Sequence, residues 1–171
     1  MKKFELTSEF NLNFFGRKFF RIKALVNIER YGVKAGDLGG WVEKEDNLSQ
    51  SGDAWVSGDA WVYGNAKVSS NAEVSGDAWV YGNAKVSGNA EVYGNADYAV
   101  IKGFGTVYRP TTFFRCHDGE ARVTCGCFYG TIDEFREQVK RTRKGKVADE
   151  YLKIADLMEY HFKKEDSGEN V

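Results

Sequence analysis

Residues 52–99 read GDAWVS GDAWVY GNAKVS SNAEVS GDAWVY GNAKVS GNAEVY GNADYA, one six-residue unit written eight times. Such self-similarity outranks local propensity, because a unit this short cannot bury a face alone and must stack on its neighbours. Ala recurs at 54, 60, 66, 72, 78, 84, 90 and 96, and Val at 56, 62, 68, 74, 80, 86 and 92, with Tyr98 in the eighth place. Two positions apart on an extended segment, Ala and Val point to the same side. The Gly-Asp or Gly-Asn pair that follows is a corner, since Gly and Asn tolerate positive φ. The twelve residues GDAWVYGNAKVS at 58–69 recur unchanged at 76–87, eighteen positions later, so three strands make one turn.

The outward positions then fall on three faces. One carries Trp61 and Tyr63 below Trp79 and Tyr81; a second carries Trp55, Glu73 and Glu91 with Ser57, Ser75 and Tyr93; the third carries Lys67 and Lys85 with Ser69 and Ser87. Four large aromatics on one face make an apolar patch of the size that marks a contact surface. Its expected occupants are the chain's own termini, a second copy, or a foreign partner. The acidic corners Asp59 and Asp77 border it and argue against a phosphate backbone. In the other two ladders like charges sit one turn apart, which costs stability unless something compensates.

Charge is balanced overall, with 24 Lys plus Arg against 25 Asp plus Glu, but it is segregated along the chain. Residues 1–40 hold 8 basic and 4 acidic side chains, residues 41–98 hold 3 and 9, and residues 99–171 hold 13 and 12. An acidic middle is a poor nucleic-acid surface. The basic run Lys140, Arg141, Arg143, Lys144 and Lys146 reads as a solvated helix end. The segment MKKFELTSEF does not read as a secretory leader, no membrane-length apolar stretch is present, and the three cysteines Cys116, Cys125 and Cys127 are not a disulfide framework. The expectation is a cytoplasmic protein without membrane partners.

Three segments are expected: a β cap over 1–36, the repeat over 37–100 and an α+β module over 101–171. In DLGGWVEKEDNLSQ, residues 37–50, Val42 and Leu48 fall on the Ala54 series and suggest a degenerate first turn. Past Tyr98, strands are expected at 104–110 and 111–117, and a hairpin about Asp118-Gly119 that sets Cys116 opposite Ala121, Phe114 opposite Val123 and Thr112 opposite Cys125. That register buries Phe114, Cys116, Ala121, Val123 and Cys125 on one face and points His117 away. A zinc site from Cys116, His117, Cys125 and Cys127 is therefore not expected, and no cofactor is. Thr131-Ile-Asp-Glu134 is a capping box that starts a helix carrying Ile132, Phe135 and Val139 and ending at Gly145. A second helix follows with Val147, Tyr151, Ile154, Leu157, Met158 and His161 or Phe162 on one stripe, then the polar tail KKEDSGENV, expected to fray.

The 52–99 pattern resembles the hexapeptide repeat of left-handed parallel β-helix proteins, with triangular coils of three six-residue sides. It departs from them in placing Ser or Tyr after the aliphatic residue and Gly one position later. The entry segment YGVKAGDLGGWVEKEDNLSQSGDAWV is similar to that of proteins labelled hexapeptide transferases in enteric bacteria and of many phage and prophage reading frames. FFRCHDGEARVTCGCFYGTIDEF resembles a C-terminal module attached to such repeats in phage proteins. The resemblance implies a mainly β fold, about three coils of β-helix with a cap at each end. Transferases of that family are trimers that place a catalytic His between subunits. Here neither His117 nor His161 lies in the repeat, and no phosphate loop or nucleophilic triad is present, so no catalytic residue is assigned. The expected function is a non-catalytic, phage- or prophage-encoded binding protein, homo-oligomeric or acting on a host protein as an inhibitor of a defence factor. It would use Trp61, Tyr63, Trp79, Tyr81, Trp55, Asp59 and Asp77. The alternatives are an acyltransferase and a small-ligand sequestering protein.

Overall fold

The six-residue period becomes seven two-residue strands, each an outward residue followed by a buried Val. They are β4 (Trp55–Val56), β5 (Trp61–Val62), β6 (Lys67–Val68), β7 (Glu73–Val74), β8 (Trp79–Val80), β9 (Lys85–Val86) and β10 (Glu91–Val92). This computed structural model describes residues 1–163, so the tail from Lys164 lies outside the described residues. Each strand pairs in parallel with the one eighteen residues on: β4 with β7 and β7 with β10, β5 with β8, β6 with β9. Backbone bonds knit successive rungs, such as Trp61 N–H to Ala78 C=O at 2.9 Å and Lys67 N–H to Ala84 C=O at 2.9 Å. Ala54 through Ala90 and Val56 through Val92 are all fully buried in one continuous core. Corner glycines take the left-handed conformation, Gly64 at φ 68° for example. Ser70 stands in one such corner at φ 60°, where its side chain strains the backbone.

Above this array lies an N-terminal meander. β1 (Phe4–Leu12) and β2 (Lys18–Ala24) form a hairpin, and β3 (Leu38–Val42) pairs antiparallel with β2 and parallel with β5. One mixed five-stranded sheet results, in the order β1-β2-β3-β5-β8. The degenerate first turn is present but out of the expected phase: Val42 pairs with Val62 and Leu48 with Val68, the Val series rather than the Ala series. Twenty residues separate these pairs instead of eighteen, and Gly40 takes the small-residue position, where a Cβ would lie 2.7 Å from Ala60 O and from Val56 Cγ1.

The open backbone edge of the first rungs is closed by buried polar side chains. The Lys3 ammonium donates to Ala54 C=O at 2.6 Å and Gly52 C=O at 3.2 Å, and Asn47 Nδ2 donates to Ala66 C=O at 2.8 Å. Lys3 is only 5% exposed, and burial brings its pKa down to about 8 from 10.5.

The repeat ends one unit sooner than its sequence. The Asp97 carboxylate accepts from Tyr93 N and Gly94 N, turning the chain through a short 3₁₀ turn, and Ala96 is exposed. Tyr98 then opens β11 (Tyr98–Ile101) of an antiparallel sheet with β12 (Thr111–Arg115), β13 (Ala121–Cys125) and β14 (Phe128–Thr131). Residues 104–110 form no strand, because Gly103, Gly105 and Tyr108 all take positive φ. The hairpin register is one residue off the expected one, with Arg115 opposite Ala121, Phe113 opposite Val123 and Thr111 opposite Cys125. Its connection is three residues, His117 to Gly119, closed by Cys116 N–H to Glu120 C=O with Gly119 at φ 82°. An Asp-Gly pair serves this longer loop as well as a two-residue turn.

The shift separates Phe114 and Cys116 from Ala121, Val123 and Cys125, which share a face with Phe113 instead. Phe114 and Cys116 seal the end of the Ala/Val core, whereas Phe113 and Val123 pack against α1 (Ile132–Thr142) and α2 (Gly145–Phe162), with Ala121 and Cys125 partly buried beside them. The capping box of α1 forms as read, Glu134 N–H to Thr131 Oγ1 and Thr131 N–H to Glu134 Oε2. In α2 the buried stripe runs through Ala148, Tyr151, Ile154, Ala155, Met158 and Phe162; Leu157 is exposed. The architecture is mainly β with two helices, an α+β arrangement.

Replacing Ser70 by Gly removes the left-handed strain at a modest entropic cost and is expected to stabilise the protein by about 1 kcal/mol, read from urea unfolding. Lys3 makes stability pH-dependent. Between about pH 8 and pH 9 the unfolded chain holds a proton that the folded chain has released, so stability should rise with pH across that window. Above it the gain is opposed and then reversed, because the Cys116 thiol is held up to about 11 and Tyr93 and Tyr98 up to about 12, so these groups ionise first in the unfolded state. Urea midpoints from about pH 8 to pH 9 should rise for the wild type and stay flat for Lys3→Met.

Candidate functional site

The outer side of the mixed sheet carries every other residue of its strands. Trp41, Trp61 and Trp79 stand opposite one another in register, and Tyr63 and Tyr81 follow the buried Val62 and Val80. The rings stack as the rung spacing dictates: Trp61 on Trp79 at 5.7 Å and 25°, Tyr63 on Tyr81 at 5.2 Å and 12°. The upper half of this strip is covered by the chain itself. Phe19 of β2 is 1% exposed and lies 4.5 Å from Trp61 and 5.4 Å from Tyr63, while the Arg21 guanidinium sits 4.9 Å over Trp41.

The expected contact residues therefore separate. Trp61 and Tyr63 are partly buried under Phe19, and Trp79 and Tyr81 remain 48% and 51% exposed. Trp55 is no surface residue at all: it is 1% exposed within the core. Gly39 makes that burial possible, since a Cβ there would stand 2.7 Å from Trp55 Cζ2. Asp59 faces the Arg21 guanidinium at 4.0 Å, and Asp77 is exposed at the neighbouring corner.

Below the exposed rung lies a groove of about 550 Å³ lined by Trp79, Tyr81, Asn83, Asn95, Tyr98 and Val100. Tyr98 O–H donates to Trp79 C=O at 2.6 Å, and Trp79 N–H donates to Asn95 Oδ1 at 2.8 Å. These bonds fix the backbone beneath the two free rings. Nothing in the sequence pairs Tyr98 or Asn95 with Trp79, because both follow the point where the repeat breaks.

On the second face Trp55, Glu73 and Glu91 are in register, and the C-terminal hairpin folds against the last of these rungs. Cys116 bridges Ala90, His117 N–H donates to Asn89 C=O at 3.0 Å, and His117 Nδ1 bonds the Glu91 carboxylate. The side chain expected to point away thus reaches the repeat from outside it. Tyr31 O–H bonds Asn71 C=O on the same flank. Burial and the Glu91 carboxylate hold Glu73 above the usual carboxylate range, and burial pushes the Cys116 thiol up to about 11, leaving it unreactive. Among the described residues no three His, Cys, Asp or Glu side chains converge as a metal site. Among the described residues no helix is long and apolar enough to cross a membrane. Neither a family model nor a curated protein sequence matches the chain.

Proposed function

We propose that the repeat is a short left-handed parallel β-helix of the hexapeptide kind, and that the protein is a non-catalytic interaction protein of phage or prophage origin. The eighteen-residue pairing interval and the single Ala/Val core support the β-helix reading. The observation that carries the function is the exposed end of the aromatic strip. Trp79 and Tyr81 are half exposed, yet each is stacked from behind on Trp61 or Tyr63. Rings already held in place lose little freedom on binding, so their buried area contributes efficiently to affinity. The occupant proposed is a second copy of the chain, with a host defence protein as the partner that such an assembly would engage. The acidic middle segment suits it to a basic surface on that partner.

Light scattering across a concentration series tests this. The wild type is expected to self-associate, and Trp79→Ala/Tyr81→Ala to weaken the association by about 30-fold or more. A wild type that stays monomeric, or an assembly that the double substitution leaves unchanged, overturns it.

A second reading, group transfer, draws on one observation. The Glu91 carboxylate at His117 Nδ1 leaves Nε2 facing solvent on a side chain 73% exposed, the arrangement of a general base. No acetyl-CoA turnover is expected; turnover that His117→Ala abolishes would displace the interaction reading.

A further inference from the structure

The third face of the repeat carries Lys67 and Lys85 in register on adjacent strands. Beside them runs a row of hydroxyls, Ser49, Ser69 and Ser87, aligned by Ser49 N–H to Val68 C=O and Ser69 N–H to Val86 C=O. Parallel rungs are about 4.8 Å apart, so two ammonium groups grow from one narrow strip. Like charges so placed repel. On the Glu73 and Glu91 ladder one carboxylate, Glu91, has a side-chain partner in His117. The lysine ladder is different. Both lysines are exposed, and among the described residues neither joins an ion pair, whereas Lys2, Lys140 and Lys146 each do.

These lysines form the floor of a groove of about 540 Å³, within the range of small-molecule sites. The turn at Glu45 and Asp46 walls one end, and Cys127, Phe128 and Tyr129 of the β13–β14 hairpin wall the other. Glu45 is already engaged by Lys2 at 2.9 Å and Gln50 at 2.9 Å, so among the described residues Asp46 is the rim carboxylate left without a cation. The lower rung is held rigidly. Lys85 N–H donates to Thr112 Oγ1 at 3.0 Å, and Thr124 Oγ1 donates to Lys85 C=O at 3.0 Å, tying its backbone to the C-terminal sheet.

We infer that this groove binds a diphosphate-bearing small molecule, a nucleoside diphosphate being the form that fills it. Two cations one rung apart match two linked phosphoryl groups, each taking one ammonium and sharing the serine hydroxyls. The half-exposed Tyr129, stacked from behind on Phe114, offers the flat surface on which a base rests. The groove lies on a different face from Trp79 and Tyr81, so the inference is independent of the association proposed above.

Calorimetry on the full chain with inorganic diphosphate, ADP, adenosine and a glutamate-rich peptide tests it. ADP and diphosphate are expected to bind and adenosine not, with ADP the tighter where the aromatic wall contributes. Lys67→Gln and Lys85→Gln should each weaken diphosphate binding by about tenfold or more. Both substitutions replace exposed side chains, and thermal melts of each should match or exceed the wild type. Cys127, on the rim, supplies a second readout: diphosphate should slow its alkylation in the wild type and not in the lysine variants. Absence of diphosphate and ADP binding at about 1 mM, equal binding by the lysine variants, or binding of the acidic peptide alone overturns the inference.

Discussion

Everything in this molecule depends on a backbone that returns to register every eighteen residues. Once Trp61 N–H bonds Ala78 C=O and Lys67 N–H bonds Ala84 C=O, identical positions of successive units must lie one above another. Small Ala and branched Val then fill the interior, the alanines from Ala54 to Ala90 and the valines from Val56 to Val92 all fully buried. The same geometry copies the exterior, so any outward residue kept through the repeat becomes a column. Indoles, phenols, carboxylates and ammonium groups are all stacked for that reason. Whether a column is stable depends on its chemistry: aromatic columns gain from stacking, charged ones need a partner.

A stack of rungs has two open ends, and the protein closes them by different means. At the first rung, single polar side chains reach in: the Lys3 ammonium and the Asn47 carboxamide bind carbonyls that no further rung could satisfy. At the last, a whole sheet docks, with Phe114 and Cys116 completing the apolar core and Thr112 and Thr124 pinning Lys85. Both closures bring chemistry with them. The meander places Phe19 over the aromatic strip, and the hairpin delivers His117 to Glu91 and Phe128 to the lysine groove.

The repeat was legible because its evidence is local: alternation, corner glycines and an exact twelve-residue recurrence. What covers the repeat was not. Trp55 occupies the same position in its unit as Trp61 and Trp79, and only the passage of Gly39 over it makes it core. That contact joins segments with no shared pattern. The two-residue offset of Val42 and Leu48 was hidden for a similar reason, since Gly40 in the Ala position has no side chain to announce its role. In the C-terminal hairpin, Asp118-Gly119 fits loops of two lengths, and a one-residue difference exchanges the faces of every side chain. Phe113 and Phe114, adjacent and both apolar, could not break that tie because both faces turn out to be buried.

The seating of Lys3 has a consequence for how the chain assembles during synthesis. Its carbonyl partners at Gly52 and Ala54 leave the ribosome about fifty residues after it does, and at translation rates of ~5–20 residues per second that is a wait of seconds. The segment around Lys3 thus waits for partners made well after it, and until then Phe4 has no core to enter. A fusion joined directly ahead of Met1 would hang only two residues from that ammonium, close enough to hinder its insertion.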